Sequence, residues 1–256
     1  MKHNDSLEEL MQVVRVLRSG QGCPWDRKQT HESLKPYLLE ETYEVIEAIN
    51  QYNMENLREE LGDVLLQVAL HSVIAEEQQE FTIDEVVHEV SQKMIRRHPH
   101  VFGLSEENSR DGVAAKWEEI KQMEHKEKTI GESIEAVPKA MPASMRATKI
   151  QKKLLKAGLN LDTKEKCFEW INNSLNKLRK SCENSEKTGI EEAYGEFLFT
   201  VLNLSVILGV NEENSLTNQV DKFINSLVGI ERIASREGKR LSELSINYVN
   251  ELWKLK

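Results

Sequence analysis

Three cysteines, five prolines and twelve glycines are all that 256 residues contain of the types that staple, kink or loosen a chain. Cys23, Cys167 and Cys182 lie far apart, none in a paired ligand spacing, which excludes a disulfide framework and a cysteine-built zinc site. They read as the reduced thiols of a cytosolic protein. Scarce glycine and proline leave few tight turns and favour a helical fold. No apolar run approaches the roughly 20 residues that a membrane helix needs, and the opening MKHNDSLEEL has no apolar signal core. The expected location is therefore cytoplasmic, with no membrane partner. Positive charge is also short: 34 Lys and Arg face 43 Asp and Glu, a net charge of -9. That balance argues against a surface for polymeric nucleic acid, which needs clustered cations. A nucleotide held by a local basic patch and a metal ion is not excluded.

What the chain does have is helical periodicity. Apolar residues recur at three- and four-residue steps from Leu7 to Leu17, stopping at Ser19-Gly20-Gln21-Gly22. Cys23 to Asp26 makes a turn, and Thr30 or Ser33 is expected to cap a helix running to about Asn50. A longer helix follows from Asn53 to about Gln79. FTIDEVVHEVSQKMIRR makes another, with Thr82 and Glu85 at capping-box spacing and His98-Pro99 ending it. Between Leu104 and Ser144 only Val113 to Met123 reads as helical. The expected organisation is all-α: an N-terminal domain over 1–125, a linker over 126–143 and a C-terminal domain over 144–256. The second domain repeats the first weakly. GDVLLQVALHSV (Gly62 to Val73) aligns with GEFLFTVLNLSV (Gly195 to Val206), Lys93 with Lys222, and Trp117 with Trp253.

The helix REELGDVLLQVALH is apolar around most of its circumference. Glu60, Asp63, Gln67 and His71 fall within a stripe of roughly 80° on the helical wheel. A nearly all-apolar helix is a buried one, so its polar stripe must face a ligand, a partner or water. The preceding helix, YLLEETYEVIEAI, places Glu41 and Glu44 on the edge of its own apolar arc, with Glu40 and Glu47 further toward solvent. A short link makes the two helices neighbours, so that Glu41, Glu44, Glu60 and Asp63 can converge. Four carboxylates in a partly buried space must protonate, pair with cations or bind a metal. An all-oxygen set suits Mg²⁺, with Mn²⁺ as a substitute. A di-iron bundle fits less well, because it calls for E-x-x-H on two helices. Gly62, beside Asp63, would let another helix or a ligand approach closely.

These residues carry a resemblance. GCPWDRKQTHESLKPYLLEETYEVIEAI, then REELGDVLLQV and RRHPHVFG, strongly resemble the MazG family of nucleoside triphosphate pyrophosphohydrolases. The short acidic pattern, Glu40-Glu41-x-x-Glu44 and then Glu60-x-x-Asp63, is moderately specific. The flanking CPWD-x-x-QTH and RRHPHVFG make the match specific from Leu7 to about Met123. The resemblance implies tandem all-α bundle domains, usually in a homodimer, and Mg²⁺-dependent hydrolysis of a nucleoside triphosphate to the monophosphate and pyrophosphate. It implies metal ligation by Glu41, Glu44, Glu60 and Asp63. Glu40 is then a candidate for orienting the attacking water, a role open to Glu44 as well. The competing readings are a non-enzymatic helical module that senses or scaffolds nucleotides, and a pyrophosphatase restricted to dUTP, dCTP or damaged nucleotides.

The second half departs from the acidic pattern. Ile171, Asn172 and Leu175 stand opposite the three glutamates, Ala193 and Glu196 opposite Glu60 and Asp63, and Thr200 and Leu204 opposite Gln67 and His71. The C-terminal domain is expected to be catalytically inert, with the site in the N-terminal one. Other residues carry two readings each. Lys93, Arg96 and Arg97 suit either a triphosphate or the helix dipole at their helix end. Trp25 suits a nucleobase or a core anchor, with Gln29 and His31 as hydrogen-bonding companions in the first case. Lys35 suits phosphate or solvent. Trp117 suits closure over a ligand or docking into the bundle. His71 reads as a core histidine, and His98 and His100 as residues shaping a turn.

Overall fold

The computed structural model describes residues 6–103, 109–125, 129–159, 163–184, 187–236, 238–240 and 244. Among them there is no strand, and the fold is all-α. Contacts divide the chain into two compact units, residues 1–124 and 125–256. Trp253, aligned with Trp117 in the sequence, lies outside the described residues.

The first unit begins with α1 (Leu7–Arg18), capped by Ser6, whose hydroxyl accepts from the Glu9 amide at 3.3 Å. A 3-10 turn, Asp26–Lys28, leads toward α2 (Lys35–Asn50). Thr30 and Ser33 do not cap α2, as the sequence leads one to expect. Each donates its backbone N–H to the other's hydroxyl, at 2.9 and 3.1 Å, closing a separate turn upstream. The helix starts only after Leu34, which is fully buried, with Pro36 fixing the first turn. Its end is abrupt. Tyr52 adopts a left-handed φ of 56°, and Asn53 then caps α3 (Met54–Glu77) by accepting from the Asn56 amide at 3.2 Å. This three-residue reversal sets α2 and α3 side by side. The Thr82–Glu85 capping box opens α4 (Ile83–Arg97) as its spacing predicts. The next helix, α5 (Arg110–His125), is longer than the apolar pattern alone indicates.

The core of this unit sits at the C-terminal half of α3. Ala69, Leu70, Val73 and Ile74 bury against Met11 and Val14 of α1, Leu34, and Ile83 of α4. Fully burying an aliphatic side chain of this size contributes roughly 1.5–3 kcal/mol. The N-terminal half of α3 has no such cover, and Leu61 and Leu65 stand exposed. The helix is therefore anchored at one end and open at the other, where the acidic residues are.

Arg18 ties the loop before α2 to that anchored end. Its guanidinium donates to the carbonyls of Asp26 (2.5 Å) and Gln29 (3.2 Å) and to both oxygens of Glu77 (2.9 and 2.7 Å). Its side chain is 5% exposed. A second pair, Arg15 with Glu76 at 3.0 Å, runs beside it.

In the second unit, residues 126–143 are not featureless: they contain α6 (Ile130–Glu135), opened by a Thr129–Glu132 capping box and packed on α7 (Ala143–Lys156). Then come α8 (Lys164–Asn184), α9 (Lys187–Leu208) and α10 (Glu212–Arg236), with α8 and α9 paired as α2 and α3 are. No single helix among the described residues is long and apolar enough to cross a membrane.

Arg18→Met should lower the stability of the first unit by roughly 2 kcal/mol, because two loop carbonyls lose a charged donor. Glu77→Gln should cost less than about 1 kcal/mol, since that carboxylate is half-exposed. Denaturant unfolding followed by intrinsic tryptophan fluorescence distinguishes the two; equal effects would contradict the assignment.

Candidate active site

Helix α2 carries Glu41 and Glu44, and α3 carries Glu60 and Asp63. Glu41, Glu60 and Asp63 each place one carboxylate oxygen within 4.8 Å of the others. Glu60 is buried, Glu41 and Asp63 half-buried. Glu44 is exposed beside the group and acts electrostatically on both Glu41 and Glu60. Carboxylates gathered this closely leave the cluster short of positive charge. Burial, reinforced by Asp63 and Glu44, pushes the Glu41 carboxyl above its ordinary range. Burial, reinforced by Glu44 and Asp63, does the same to Glu60. Glu40 lies on the exposed side of α2, outside the close group. Gly62 makes no close approach within the chain: a Cβ built on it would meet nothing within 4 Å.

Farther along the α3 stripe come Gln67, buried, and His71, half-buried. The sequence reads His71 as a core histidine, and the structure gives it a hydrogen-bonding partner. His31 lies with its Nδ1 2.8 Å from the His71 Nδ1, so at least one ring must be neutral to accept. Burial first, then His31, holds His71 below the usual histidine range.

The loop that delivers His31 holds Trp25, which is 49% exposed and makes an edge-on contact with Tyr37 at 5.7 Å. Gln29 is less available than the sequence leads one to expect. Its Nε2 donates to the Trp25 carbonyl (3.1 Å), and its Oε1 accepts from the Ser33 hydroxyl (2.7 Å). Lys35 points outward and pairs with Glu32 at 2.5 Å.

The basic end of α4 is partly occupied. Arg96 and Arg97 both bond to Glu124 of α5, at 3.1 and 2.6 Å. Arg97 also lies over Trp117, 5.4 Å from the ring centroid, and His98 meets the same ring edge-on at 4.7 Å. Trp117 is thus docked on the end of α4. Glu124 and Tyr37 escape a sequence reading, since their partners are set by packing and not by spacing. Lys93 is half-buried on α4, one turn before Arg97.

The α8–α9 pair handles the same positions differently. Ala193 is buried, and Glu196 is exposed and paired with Lys177. Thr200 shares a hydrogen bond with Ser174 at 2.9 Å, and Asn203 donates to the buried Cys167 sulfur at 3.5 Å. These neutral or paired groups satisfy one another. Among the described residues, the Glu41–Glu60–Asp63 group is where acidic side chains converge closely enough for a metal.

Residues 29–102, which carry all four acids, match the MazG nucleotide pyrophosphohydrolase domain. Full-length similarity extends the match. A Thermotoga maritima protein named nucleoside triphosphate pyrophosphohydrolase/pyrophosphatase MazG is 42% identical over 247 residues, covering 96% of this chain and 93% of that one. The chain belongs to the MazG family. It is accordingly a hydrolase. The nucleoside triphosphate pyrophosphohydrolase of Escherichia coli K12 is 34% identical, covering 97% of this chain and 96% of its own. An uncharacterized Bacillus subtilis protein, YabN, is 38% identical over 94% of this chain, which spans 49% of that longer protein.

Two titrations of opposite sign follow. Glu41 and Glu60 are raised, so their favourable contribution exists at acid pH and is lost as pH rises through their elevated pKa values. With chelator present, Glu60→Gln should raise the melting temperature at about pH 7.5, with the gain shrinking toward about pH 4. A gain independent of pH would contradict this. His71 is lowered, so its contribution is present above the ordinary histidine range and fades as pH falls through its depressed value.

Proposed function

We propose that this protein hydrolyses a nucleoside triphosphate to the monophosphate and pyrophosphate, using Mg²⁺ held in the first unit by Glu41, Glu60 and Asp63. The observation that carries this reading is the convergence of those three carboxylates, with Glu44 close enough to raise the pKa of two of them. The donor set fits a hard divalent cation: every ligand atom is oxygen, and the group is short of positive charge. The relatives' printed activity supports the reaction.

When bound, a divalent cation neutralises phosphate oxygens and acidifies water. The side chains divide the remaining tasks. Glu41, Glu60 and Asp63 fix the phosphate end. Glu44 is exposed at the rim, where it can complete the ligand set or accept a proton from water attacking the α-phosphorus. Glu40, farther out on α2, is the alternative for orienting that water. Lys93 is the cation of this helix end that remains for the phosphate chain, since Arg96 and Arg97 are both engaged by Glu124. Trp25 offers an exposed ring to a base, in contact with Tyr37, and His31 lies on the same loop. Gln29 holds the turn that presents Trp25. The second unit, without a comparable acidic group among its described residues, is read as non-catalytic.

The working form is a homodimer. Helices α2 and α3 expose Leu39 (54%), Tyr43 (53%), Ile46 (45%), Ile49 (50%) and Leu61 (52%), a larger apolar face than a lone soluble unit tolerates. The same faces flank the acidic group, so a second copy covering them would also enclose the site.

Incubation with Mg²⁺ and nucleoside triphosphates should release pyrophosphate and monophosphate in equal amounts. Orthophosphate with diphosphate would overturn the cleavage position. Glu41→Gln and Asp63→Asn should each reduce kcat/KM by roughly 10³-fold, about 4 kcal/mol of transition-state stabilisation, with circular dichroism unchanged. Ile46→Glu should shift the protein to monomer in sedimentation velocity and reduce activity along with it. A dimer that persists in this variant would refute that interface.

A further inference from the structure

Gln67 is 5% exposed, and its Oε1 is buried with no hydrogen-bond partner among the described residues. A buried acceptor left unmet is destabilising until a donor reaches it. This one lies on the α3 stripe, one turn beyond Asp63 and one turn before His71. At 1.5 Å of rise per residue, Gln67 stands about 6 Å past Asp63 along the helix axis, and His71 about 12 Å.

Position identifies what Gln67 faces. The Asp63 end of the stripe is the acidic group. The His71 end is where the loop before α2 docks, through the His31–His71 contact and through Arg18, which joins that loop to Glu77. That loop carries the exposed Trp25. A nucleotide with phosphates at the acids and its base toward the loop therefore lays its sugar alongside Gln67. Chemistry narrows the choice further. An ionised phosphate offers only acceptors and cannot satisfy the Gln67 Oε1, whereas a sugar hydroxyl has the O–H donor that this atom lacks.

We infer that Gln67 is the sugar-reading residue of this site: its side-chain carbonyl accepts a hydrogen bond from a hydroxyl of the bound nucleotide's sugar and sets the preference among ribo, 2′-deoxy and 3′-deoxy substrates. The inference rests on the proposed function in taking the acidic group as the phosphate end and the Trp25 loop as the base end. It makes Gln67 a specificity determinant that takes no part in bond breaking.

The test compares kcat/KM for ATP, 2′-deoxy-ATP, 3′-deoxy-ATP and 2′,3′-dideoxy-ATP in the full-length wild type and in Gln67→Met, which keeps side-chain length and removes the amide. In the wild type, losing the contacted hydroxyl should cost at least about tenfold, and the two single-deoxy substrates tell which hydroxyl it is. In Gln67→Met that ratio should fall to about one while turnover of the dideoxy substrate is preserved. Unchanged ratios, an equal loss on all four substrates, or a wild type indifferent to both hydroxyls would overturn the inference. The rise in melting temperature on adding Mg²⁺ alone should be the same in both proteins, showing that the variant is folded and its acidic group intact. Dissociation constants for AMP and its deoxy forms with Mg²⁺ should show the same collapse of ratio. That measurement decides the role of Gln67 even where no triphosphate is cleaved, an outcome that would count against the proposed function alone.

Discussion

Mutual repulsion among the carboxylates of α2 and α3 is the constraint around which the first unit is arranged. Glu41, Glu60 and Asp63 each bring a carboxylate oxygen within 4.8 Å of the others, and Glu44 adds its charge to that of Glu41 and Glu60. Left to itself, such a group drives its two helices apart. What holds them is remote from the acids: the three-residue reversal at Gln51–Asn53 and the core packed on the far half of α3. The fold thus supplies at one end the energy that repulsion removes at the other. A divalent cation held there would release this repulsion and so link its affinity to the stability of the helix pair.

Helix α3 therefore works as a ruler with a fixed end. Its buried segment, Ala69 to Ala75, sets depth and rotation, and the polar stripe then places each functional group at a height determined by helical rise. Carboxylates come first, an amide next, and a histidine pair last. The loop from Gly20 to Ser33 is irregular, yet Arg18 gives it the precision of a regular element by bonding two of its carbonyls and the end of α3 at once. A loop so tied can carry Trp25 and His31 to one side of the ruler without a helix of its own.

The all-α class, the pairing of α2 with α3 and the acidic convergence were legible because each follows from periodicity or from a short connection. The Thr82–Glu85 cap was legible because its chemistry is local. What escaped depends on distance in sequence. Nothing in the spacing of Arg96, Arg97 and Trp117 indicates that Glu124 pairs with both arginines or that the indole lies against Arg97. Gln29 misled for a related reason. An amide beside Trp25 looks available until the turn is built, and then both its ends are bonded locally. Gln67 is the converse: it sits in an apolar helix like a tolerated polar residue, and only burial without a partner marks it out.

The second unit shows what becomes of this design when the repulsion is removed. Helices α8 and α9 pair as α2 and α3 do, but a buried Ala193 stands in the place of Glu60, and Glu196, in the place of Asp63, is neutralised by Lys177. Farther along, Thr200 bonds directly across to Ser174 instead of facing an open stripe. Each change converts a group waiting for a ligand into one satisfied within the chain. A helix pair so completed gains nothing from a cation and loses nothing without one. Binding capacity in this architecture thus depends on leaving polar groups unsatisfied, at a cost in stability, and the two helix pairs of one chain stand at opposite ends of that exchange.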